Sequence, residues 1–371
     1  MKRAIRTQAI RTQAVCVDDG YIWIYLNTIN ALLKMNPITK DHEYVTSFKN
    51  KLYDDALYTD IFCYNKKLFF IPYRASDIAV YYIETGMVEY ISFHKELIAY
   101  NAIRYEESKV LLFPKQDSDE VWILDLSKES AYSRKIDFLF DKSVLSDKGL
   151  FLYMGESCNG KNATFIVPVT NNYIEYDMEK NTARLAEFSD DDEYYFAYSL
   201  NGNQYYMNID GTRVLVKDSK ECEKQYNIPY NNKYDLYWEN KPMAYSSLAI
   251  AEGYALCVPA KNNDIYRLDE GVQKLGNLNW DNIKNITHNA RVFSSIVIHK
   301  NEILLFPYNC DTLVIYNCES DDYTYTSFEL SDEEINEIIQ GNSEIILKMY
   351  KEGEIVEGTN GIDLKTFLSC L

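Results

Sequence analysis

A strand-like segment recurs along the chain at a nearly constant spacing. In the copy "LFFIPYRASDIAVYYIETG", an apolar run stops at a proline, and a polar connection and a second alternating run follow. Seven copies can be aligned by this event, at Tyr25, Pro72, Pro114, Pro168, Asn208, Pro259 and Pro307. They cover 282 residues in six steps, which is a period of 47. A period of about 40–50 residues with strand content predicts a β-propeller.

A second marker gives the same count. Each copy ends in an apolar residue that closes a short alternating run; the seven are Phe48, Phe93, Phe138, Phe188, Ile228, Leu278 and Phe328. Between these markers lie four short runs rich in β-branched and aromatic residues, which predict four antiparallel strands. Such a blade buries its faces only by stacking on its neighbours. We therefore predict an all-β chain with a single seven-bladed β-propeller, and six or eight blades as alternatives.

The repeats set the domain limits. The propeller is predicted over residues 15–330, preceded by an arm or a first strand in residues 1–14 and followed by a tail in residues 331–371. In that tail "SDEEINEIIQG" predicts a helix from Ser331 to Gly341, because Ser331 is a good N-cap and Glu334 completes a capping box. A hairpin and a short terminal helix are predicted to follow and to pack on the propeller or close it.

The composition restricts the partners and the compartment. The chain has 38 basic and 56 acidic residues, a net charge of −18, and no basic cluster offsets it. Such a field repels nucleic acid and anionic membrane surfaces, so neither is expected as a partner. Eight cysteines stand without any CxxC spacing, and the chain shows neither a secretory signal nor an apolar run of ~20 residues. These features predict an acidic cytoplasmic protein with reduced cysteines.

The ends of the repeats carry a family resemblance. Segments such as "NNYIEYDMEKN" and "NDIYRLDEG" place an apolar residue before a Tyr-Asp or Leu-Asp pair and a polar turn. In this respect residues 15–330 resemble a divergent kelch-like propeller of the cytoplasmic bacterial kind, one without the kelch double glycine. The resemblance implies a scaffold that usually binds a partner and only occasionally is an enzyme.

No motif for catalysis or for a cofactor occurs. The four histidines form no pair with metal-ligand spacing; His42, His94 and His288 fall in predicted connections, where we expect solvated side chains, and His299 at a strand-to-turn boundary. Phosphate-binding glycine loops and the GxSxG elbow are absent from the sequence. We therefore expect no cofactor and no metal, assign no catalytic residue, and leave the question of enzymatic activity open.

A ligand site is predicted on the connections. Those after the second strands and those between repeats leave the same edge of each sheet, and two of the latter, 229–245 and 279–290, are long and aromatic. The candidate site combines an aromatic wall with a polar set; its residues are Tyr234, Tyr237, Trp238, Trp280, Arg74, Lys115, Lys261 and Asn262. The alternative is that the aromatic residues fold back as a lid.

The leading functional hypothesis is a non-catalytic binding or protein-interaction scaffold. Its partner would be a protein, or a hydroxylated or anionic small ligand such as a carbohydrate or peptide, because amphipathic rings suit both. The alternative is a carbohydrate- or peptide-active enzyme with its site at the mouth of the propeller channel.

Overall fold

A computed structural model describes most of the chain. The described residues are 12–27, 29–48, 57–73, 75–92, 100–115, 118–145, 156–167, 170–200, 202–208, 210–218, 222–229, 236–238, 241–243, 245–251, 254–259, 264–268, 271–286 and 292–341. They hold seven sheets, each built on four antiparallel strands that follow one another in the chain, together with a two-stranded hairpin; one of the seven sheets has a fifth strand. The structure thus confirms the all-β prediction and the seven blades of a propeller.

The first three blades contain twelve strands. They are β1 Thr12–Asp18, β2 Tyr21–Leu26, β3 Ala31–Met35 and β4 His42–Ser47 in blade 1; β5 Tyr58–Tyr64, β6 Lys67–Pro72, β7 Asp77–Tyr82 and β8 Val88–Ser92 in blade 2; and β9 Tyr100–Glu106, β10 Lys109–Pro114, β11 Glu120–Asp125 and β12 Ser130–Lys135 in blade 3.

Blades 4 and 5 follow, and blade 4 has an extra edge strand. The strands are β13 Asp137–Phe138, β14 Glu156–Asn159, β15 Asn162–Ile166, β16 Asn172–Asp177 and β17 Thr182–Glu187 in blade 4, and β18 Tyr194–Leu200, β19 Asn203–Asn208, β20 Arg213–Lys217 and β21 Glu223–Asn227 in blade 5. The short β13 pairs in parallel with β17. A single-turn 3-10 helix, Lys142–Leu145, comes after β13.

The last part of the chain adds a hairpin, two blades and a helix. The elements are the hairpin β22 Leu236–Trp238 and β23 Lys241–Met243; β24 Tyr245–Ala251, β25 Tyr254–Pro259, β26 Asp264–Leu268 and β27 Val272–Asn277 in blade 6; the 3-10 turn Trp280–Asn282; β28 Phe293–His299, β29 Glu302–Pro307, β30 Thr312–Asn317 and β31 Asp322–Ser327 in blade 7; and helix α1 Asp332–Gly341. No helix within the described ranges is long and apolar enough to cross a bilayer.

The repeated proline has a constant structural place. In blades 2, 3, 6 and 7 it is the last residue of the second strand and pairs with the first residue of the first strand, as in Tyr58 with Pro72 and Phe293 with Pro307. Directly after that pair, the first strand of blades 2, 6 and 7 has a β-bulge. Because proline cannot donate a ladder hydrogen bond, it is tolerated where the regular ladder ends.

The second repeated marker fills the seam between neighbouring blades. Phe48 is fully buried, and its ring centroid lies 4.5 Å from that of Phe70 and 5.1 Å from that of Tyr58 in the next blade. Phe188 plays the same part between blades 4 and 5, 4.1 Å from Tyr194. Each aromatic pair stabilises such a seam by about 0.5–1.5 kcal/mol beyond the area it buries. The sequence period therefore arises from a packing contact that recurs between blades.

The chain divides into two compact units. The first comprises residues 1–95, 281–288 and 292–371 and holds blades 7, 1 and 2 with helix α1. Within it the first strands β28, β1 and β5 are neighbours. One apolar core lies between blades 7 and 1 beneath α1, and a second lies between blades 1 and 2.

Polar contacts also join blade 1 to blade 7 in this unit. The Ser294 hydroxyl donates to the carbonyl of Thr12, where β1 begins. Lys40 Nζ lies 2.5 Å from Glu302 Oε2, which links the turn after β3 to β29. Strand β1 begins at Thr12. The last residues of the segment 1–14, which was predicted as an arm or a first strand, therefore belong to the first strand.

The second unit holds blades 3 to 6 and comprises residues 96–280 and 289–291. Its first strands β9, β14, β18 and β24 are neighbours in that order. Apolar cores fill the seams between blades 3 and 4, 4 and 5, and 5 and 6. Strands such as β10 are buried along nearly their whole length, which explains their continuous apolar sequence.

Helix α1 confirms the predicted capping box. The Glu334 N–H donates to Ser331 Oγ at 3.2 Å, and the Ser331 N–H donates to Glu334 Oε2 at 2.7 Å. The prediction of a solvated His42 is wrong: its side chain is 12% exposed, and Nδ1 lies 2.9 Å from Glu334 Oε1. The reason is that α1 packs on β4, where His42 stands. The predicted hairpin and terminal helix after α1, like His94 and His288, fall outside the described residues.

Candidate functional site

Of the four residues in the predicted polar set, one lies among the residues that the structure describes. Lys115 follows β10 directly and is half-buried. Arg74, Lys261 and Asn262 lie outside the described residues. The convergence of these four side chains therefore stays a prediction.

The predicted aromatic wall is described in part. Tyr237 and Trp238 lie in β22, whose backbone pairs with β23 through Tyr237 and Pro242 and through Trp238 and Lys241. Trp280 opens the 3-10 turn before blade 7 and is half-buried. Tyr234 lies outside the described residues. The long insertion between blades 5 and 6 thus contains a hairpin, and the choice between wall and lid is still a prediction.

A cavity of about 300 Å³ opens between blades 1 and 2, where no site residue was predicted. It lies where β2 begins and where β3 and β7 end. Strands of both blades and the turn after β1 line it, through Asp19, Tyr21, Trp23, Lys34, Glu43 and Tyr81. Its volume is at the lower end of the range typical of small-ligand pockets.

Strand register places these groups together. Across blade 1, Cys16 pairs with Trp23, Trp23 with Lys34 and Lys34 with Glu43, so all four side chains share the face that is turned to blade 2. From blade 2, Tyr81 faces them, and its ring centroid lies 5.6 Å from that of Trp23. An aromatic side chain and a charged pair therefore stand in one row across a single sheet.

The ammonium group of Lys34 already lies near two aromatic rings of the cavity. Lys34 Nζ lies 3.9 Å from the ring centroid of Tyr21 and 5.9 Å from that of Trp23. The same ammonium is 3.3 Å from Glu43 Oε1. Attraction between a cation and a ring face is worth about 0.5–1 kcal/mol at exposed sites and more when water is excluded. The geometry thus shows that these rings and this carboxylate can hold a positive charge.

The two carboxylates differ from the rings in exposure. Asp19 and Glu43 are exposed, whereas Trp23 and Tyr81 are buried. Burial raises the pKa of Tyr81, and the negative charge of Glu43 raises it further. Tyr81 therefore stays a neutral hydrogen-bonding phenol at the floor of the cavity, while the carboxylates stand at its mouth.

The mouth is held by a tight turn and an indole hydrogen bond. Asp19 and Gly20 have φ angles of 52° and 76° and connect β1 to β2. Positive φ at two successive central residues is typical of the hairpin turns that match strand twist. The indole Nε1 of Trp23 donates to the Asp18 carbonyl at 3.2 Å, which fixes the ring beside this turn.

The remaining titratable groups do not assemble a metal site within the described ranges. There, no group of three or more His, Cys, Asp or Glu side chains is placed to hold an ion. None of the seven cysteines that the structure describes is in a disulfide. The arrangement between blades 1 and 2 is suited to binding by rings, carboxylates and phenols.

Fold and cavity together define a class: a seven-bladed β-propeller with an aromatic and acidic cavity between two blades. No family model matches the sequence, and no curated protein matches it. Among solved structures, a catalytically inactive virginiamycin B lyase from Staphylococcus aureus, solved with quinupristin, has a TM-score of 0.59 at 12% identity, covering 82% of this chain and 94% of that one.

Two further structures are similar in fold. A streptogramin B lyase has a TM-score of 0.59 at 10% identity, covering 87% of this chain and 95% of the lyase. PorZ, a surface component of the type-IX secretion system of Porphyromonas gingivalis, has a TM-score of 0.53 at 9% identity, covering 88% of this chain and 39% of PorZ. At these identities the likeness shows the fold alone.

Proposed function

We propose that this chain is a non-catalytic binding module that takes a basic side chain of a partner protein into the cavity between blades 1 and 2. The single observation that carries the proposal is the position of Lys34, whose ammonium lies 3.9 Å from the Tyr21 centroid and 3.3 Å from Glu43. The chain's own lysine thus occupies one part of a site whose chemistry favours cations.

The charges around the cavity support a basic ligand. Asp19 and Glu43 are opposed by Lys34 alone among the charged lining residues, so the lining carries a net negative charge. The whole chain carries −18, which attracts basic segments over long range and repels anionic ones. Of the ligands considered from the sequence, a protein segment with an exposed arginine or lysine fits these charges better than an anionic molecule does.

The size of the cavity supports a single side chain. About 300 Å³ accommodates one long side chain or one sugar ring, and its floor is the edge of the Trp23–Tyr81 pair. A planar guanidinium stacks on aromatic rings and pairs with carboxylates at the same time. Arginine is therefore the side chain that uses both features of the site.

Peptide pools with one fixed central residue test the proposal. We would measure fluorescence polarisation of four labelled pools, otherwise degenerate, with arginine, lysine, glutamate or glutamine at the centre. We expect the arginine and lysine pools to bind, and expect Tyr21→Ala and Glu43→Gln to weaken that binding. Tyr132→Ala is the matched control, since Tyr132 is an exposed ring near a cation, 5.5 Å from the Arg134 guanidinium, on a different blade.

A third variant changes binding in the opposite direction. Lys34→Met removes the competing cation and should strengthen binding of the arginine pool by roughly 3–10-fold, up to ~1.4 kcal/mol. If Lys34→Met instead weakens binding, or if the glutamate pool binds best, the cation proposal is wrong. Binding to a glycan array that Tyr21→Ala abolishes would favour the carbohydrate ligand considered from the sequence.

Other features of the sequence hypothesis stay proposals alongside this one. They are the kelch-like relationship, the cytoplasmic location, and a second contact surface on the connections that carry Trp238 and Trp280. The similar lyases and PorZ support the fold of the scaffold, and the enzymatic alternative gains no observation from the described residues.

A further inference from the structure

Two thiols lie next to each other between the first strands of blades 1 and 2. Cys16 lies on β1 and Cys63 on β5, which are neighbouring first strands. The two thiols hydrogen bond to each other, and Cys63 Sγ also lies 3.6 Å from the carbonyl of Val17. Both residues are half-buried and pack against the apolar core of the seam.

The alternation of side chains explains why these two thiols face each other. Thr12 and Tyr58 are equivalent first residues of β1 and β5, and they are 46 positions apart. Cys16 and Cys63 are 47 positions apart, one more than this spacing. Because successive strand residues point to opposite faces, that extra position turns Cys63 back toward blade 1 while Cys16 points toward blade 2.

The surroundings keep the two thiols in contact and Cys16 protonated. The hydrogen bond with Cys63, then burial, raise the pKa of Cys16 well above its usual value. Because the thiolate is the attacking species, Cys16 attacks only in the small fraction of molecules in which it has lost its proton. Two thiols in contact, with part of their surface open to solvent, are placed for disulfide exchange.

We propose that Cys16 and Cys63 are a redox-active pair that forms a reversible disulfide and so joins blade 1 covalently to blade 2. The oxidant is a low-molecular-weight disulfide, RSSR. Cys63 loses its proton and attacks one sulfur of RSSR, which forms Cys63–S–S–R and releases one RSH. Cys16 then loses its proton and attacks Cys63 Sγ, which forms the Cys16–Cys63 bond and releases the second RSH. Two electrons and two protons pass from the protein to the oxidant.

The bond would act on the cavity through one cross-strand contact. Cys16 stands directly opposite Trp23 in the β1–β2 ladder, and Trp23 lines the cavity. A covalent link at Cys16 therefore fixes blade 1 to blade 2 next to the cavity that forms the ligand site. This modification does not depend on which ligand the cavity binds.

Oxidation followed by peptide mapping tests the pair. We would treat the folded chain with hydroxyethyl disulfide, alkylate the remaining thiols and digest with trypsin. The expected product is a linked pair of peptides, residues 12–34 and 52–66, each with one cysteine, about 2 Da lighter than the two reduced peptides. Dithiothreitol should return both peptides to the reduced form.

Thermal unfolding gives an independent readout. A disulfide that closes a loop of this length should raise Tm, on the order of 5 °C for a chain of this size. Cys16→Ser and Cys63→Ser should each abolish both the linked peptides and the rise in Tm. Cys318→Ser is the matched control because Cys318 is an exposed cysteine on a different blade and is in no disulfide, and that variant should keep both effects.

Three results would overturn the proposal. Stable mixed disulfides on Cys16 or Cys63, without the linked peptides, would show that the two sulfurs cannot close the bond. Linkage that forms only in urea would show that the folded seam does not permit it. A rise in Tm that survives in Cys63→Ser would assign the stabilisation to another cysteine.

Discussion

His42 and Glu334 meet across 292 positions of sequence, with 2.9 Å between Nδ1 and Oε1. This contact fastens helix α1 to the last strand of blade 1. The ring of His42 also meets Phe328 edge to face, at 5.0 Å between centroids, and Phe328 is the marker residue of blade 7. The two residues thus join the helix that follows blade 7 to the first blade of the chain.

The charge of Glu334 should make stability depend on acidity. Burial alone raises the pKa of Glu334, but the hydrogen bonds from His42 and Ser331 outweigh it and hold the pKa below its usual value. A lowered folded-state pKa contributes stability above the unfolded value of roughly 4.3, and this contribution is lost as pH falls through the folded-state pKa. Glu334→Gln should cost about 1–3 kcal/mol at pH 7.

Urea unfolding as a function of pH checks this prediction. The difference between the native chain and Glu334→Gln should shrink as pH falls below about 4. Ser331→Ala is the matched control, because it removes the cap and leaves the carboxylate, so it should cost about 1 kcal/mol. A constant gap between the native chain and Glu334→Gln at every pH would contradict the argument.

Tyr25 should be sensitive to loss of its hydroxyl. The hydroxyl donates to Asn30 Oδ1 at 2.5 Å and accepts the Leu57 N–H at 3.2 Å, all inside the seam between blades 1 and 2. Tyr25→Phe leaves Leu57 N–H with the longer contact to Asn30, 3.4 Å, and should cost about 1–3 kcal/mol in urea unfolding. Tyr132→Phe, on an exposed ring, should change stability by less than about 0.5 kcal/mol. Equal effects at both sites would show that the buried hydroxyl contributes nothing.

Gly20 tests backbone conformation at the mouth of the cavity. A Cβ on Gly20 would meet no atom within 4 Å, but the residue has a φ of +76°. Gly20→Ala should therefore cost about 1–2 kcal/mol from the left-handed backbone alone. Gly271→Ala is a matched control in equally open space but without a positive φ. Thermal unfolding of both variants checks the difference, and an equal loss in each would rule out the backbone explanation.

The periodic and local features could be predicted from the sequence. The spacing of Pro72, Pro114, Pro259 and Pro307, together with the other copies of the repeat, predicted the number of blades because each of these prolines ends the second strand of its blade. The capping box at Ser331 was predictable because its two hydrogen bonds join residues three positions apart.

Contacts between residues far apart in the sequence were not predicted. The solvated state predicted for His42 was wrong because its partner lies on a helix 292 residues away. Lys34 gave a usable signal, since it interrupts the otherwise apolar run "ALLKM" of β3. The separation of Cys16 and Cys63, one more than the 46 positions between the first residues of β1 and β5, was a second signal, but it has meaning only once the bounds of these strands are known. The candidate ligand residues on the connections, such as Trp238, stay predictions.

Each blade is drawn from one uninterrupted stretch of chain, apart from the short parallel strand β13. The segment that a gene duplication would copy therefore coincides with a complete hydrogen-bonded sheet. Adding or deleting a whole repeat would leave every strand ladder intact and would alter side-chain contacts at the seams alone. The contact between blades 7 and 1 follows the same logic: Thr12 and Ser294, Lys40 and Glu302, and helix α1 hold these blades together, and the described residues exchange no strand between them.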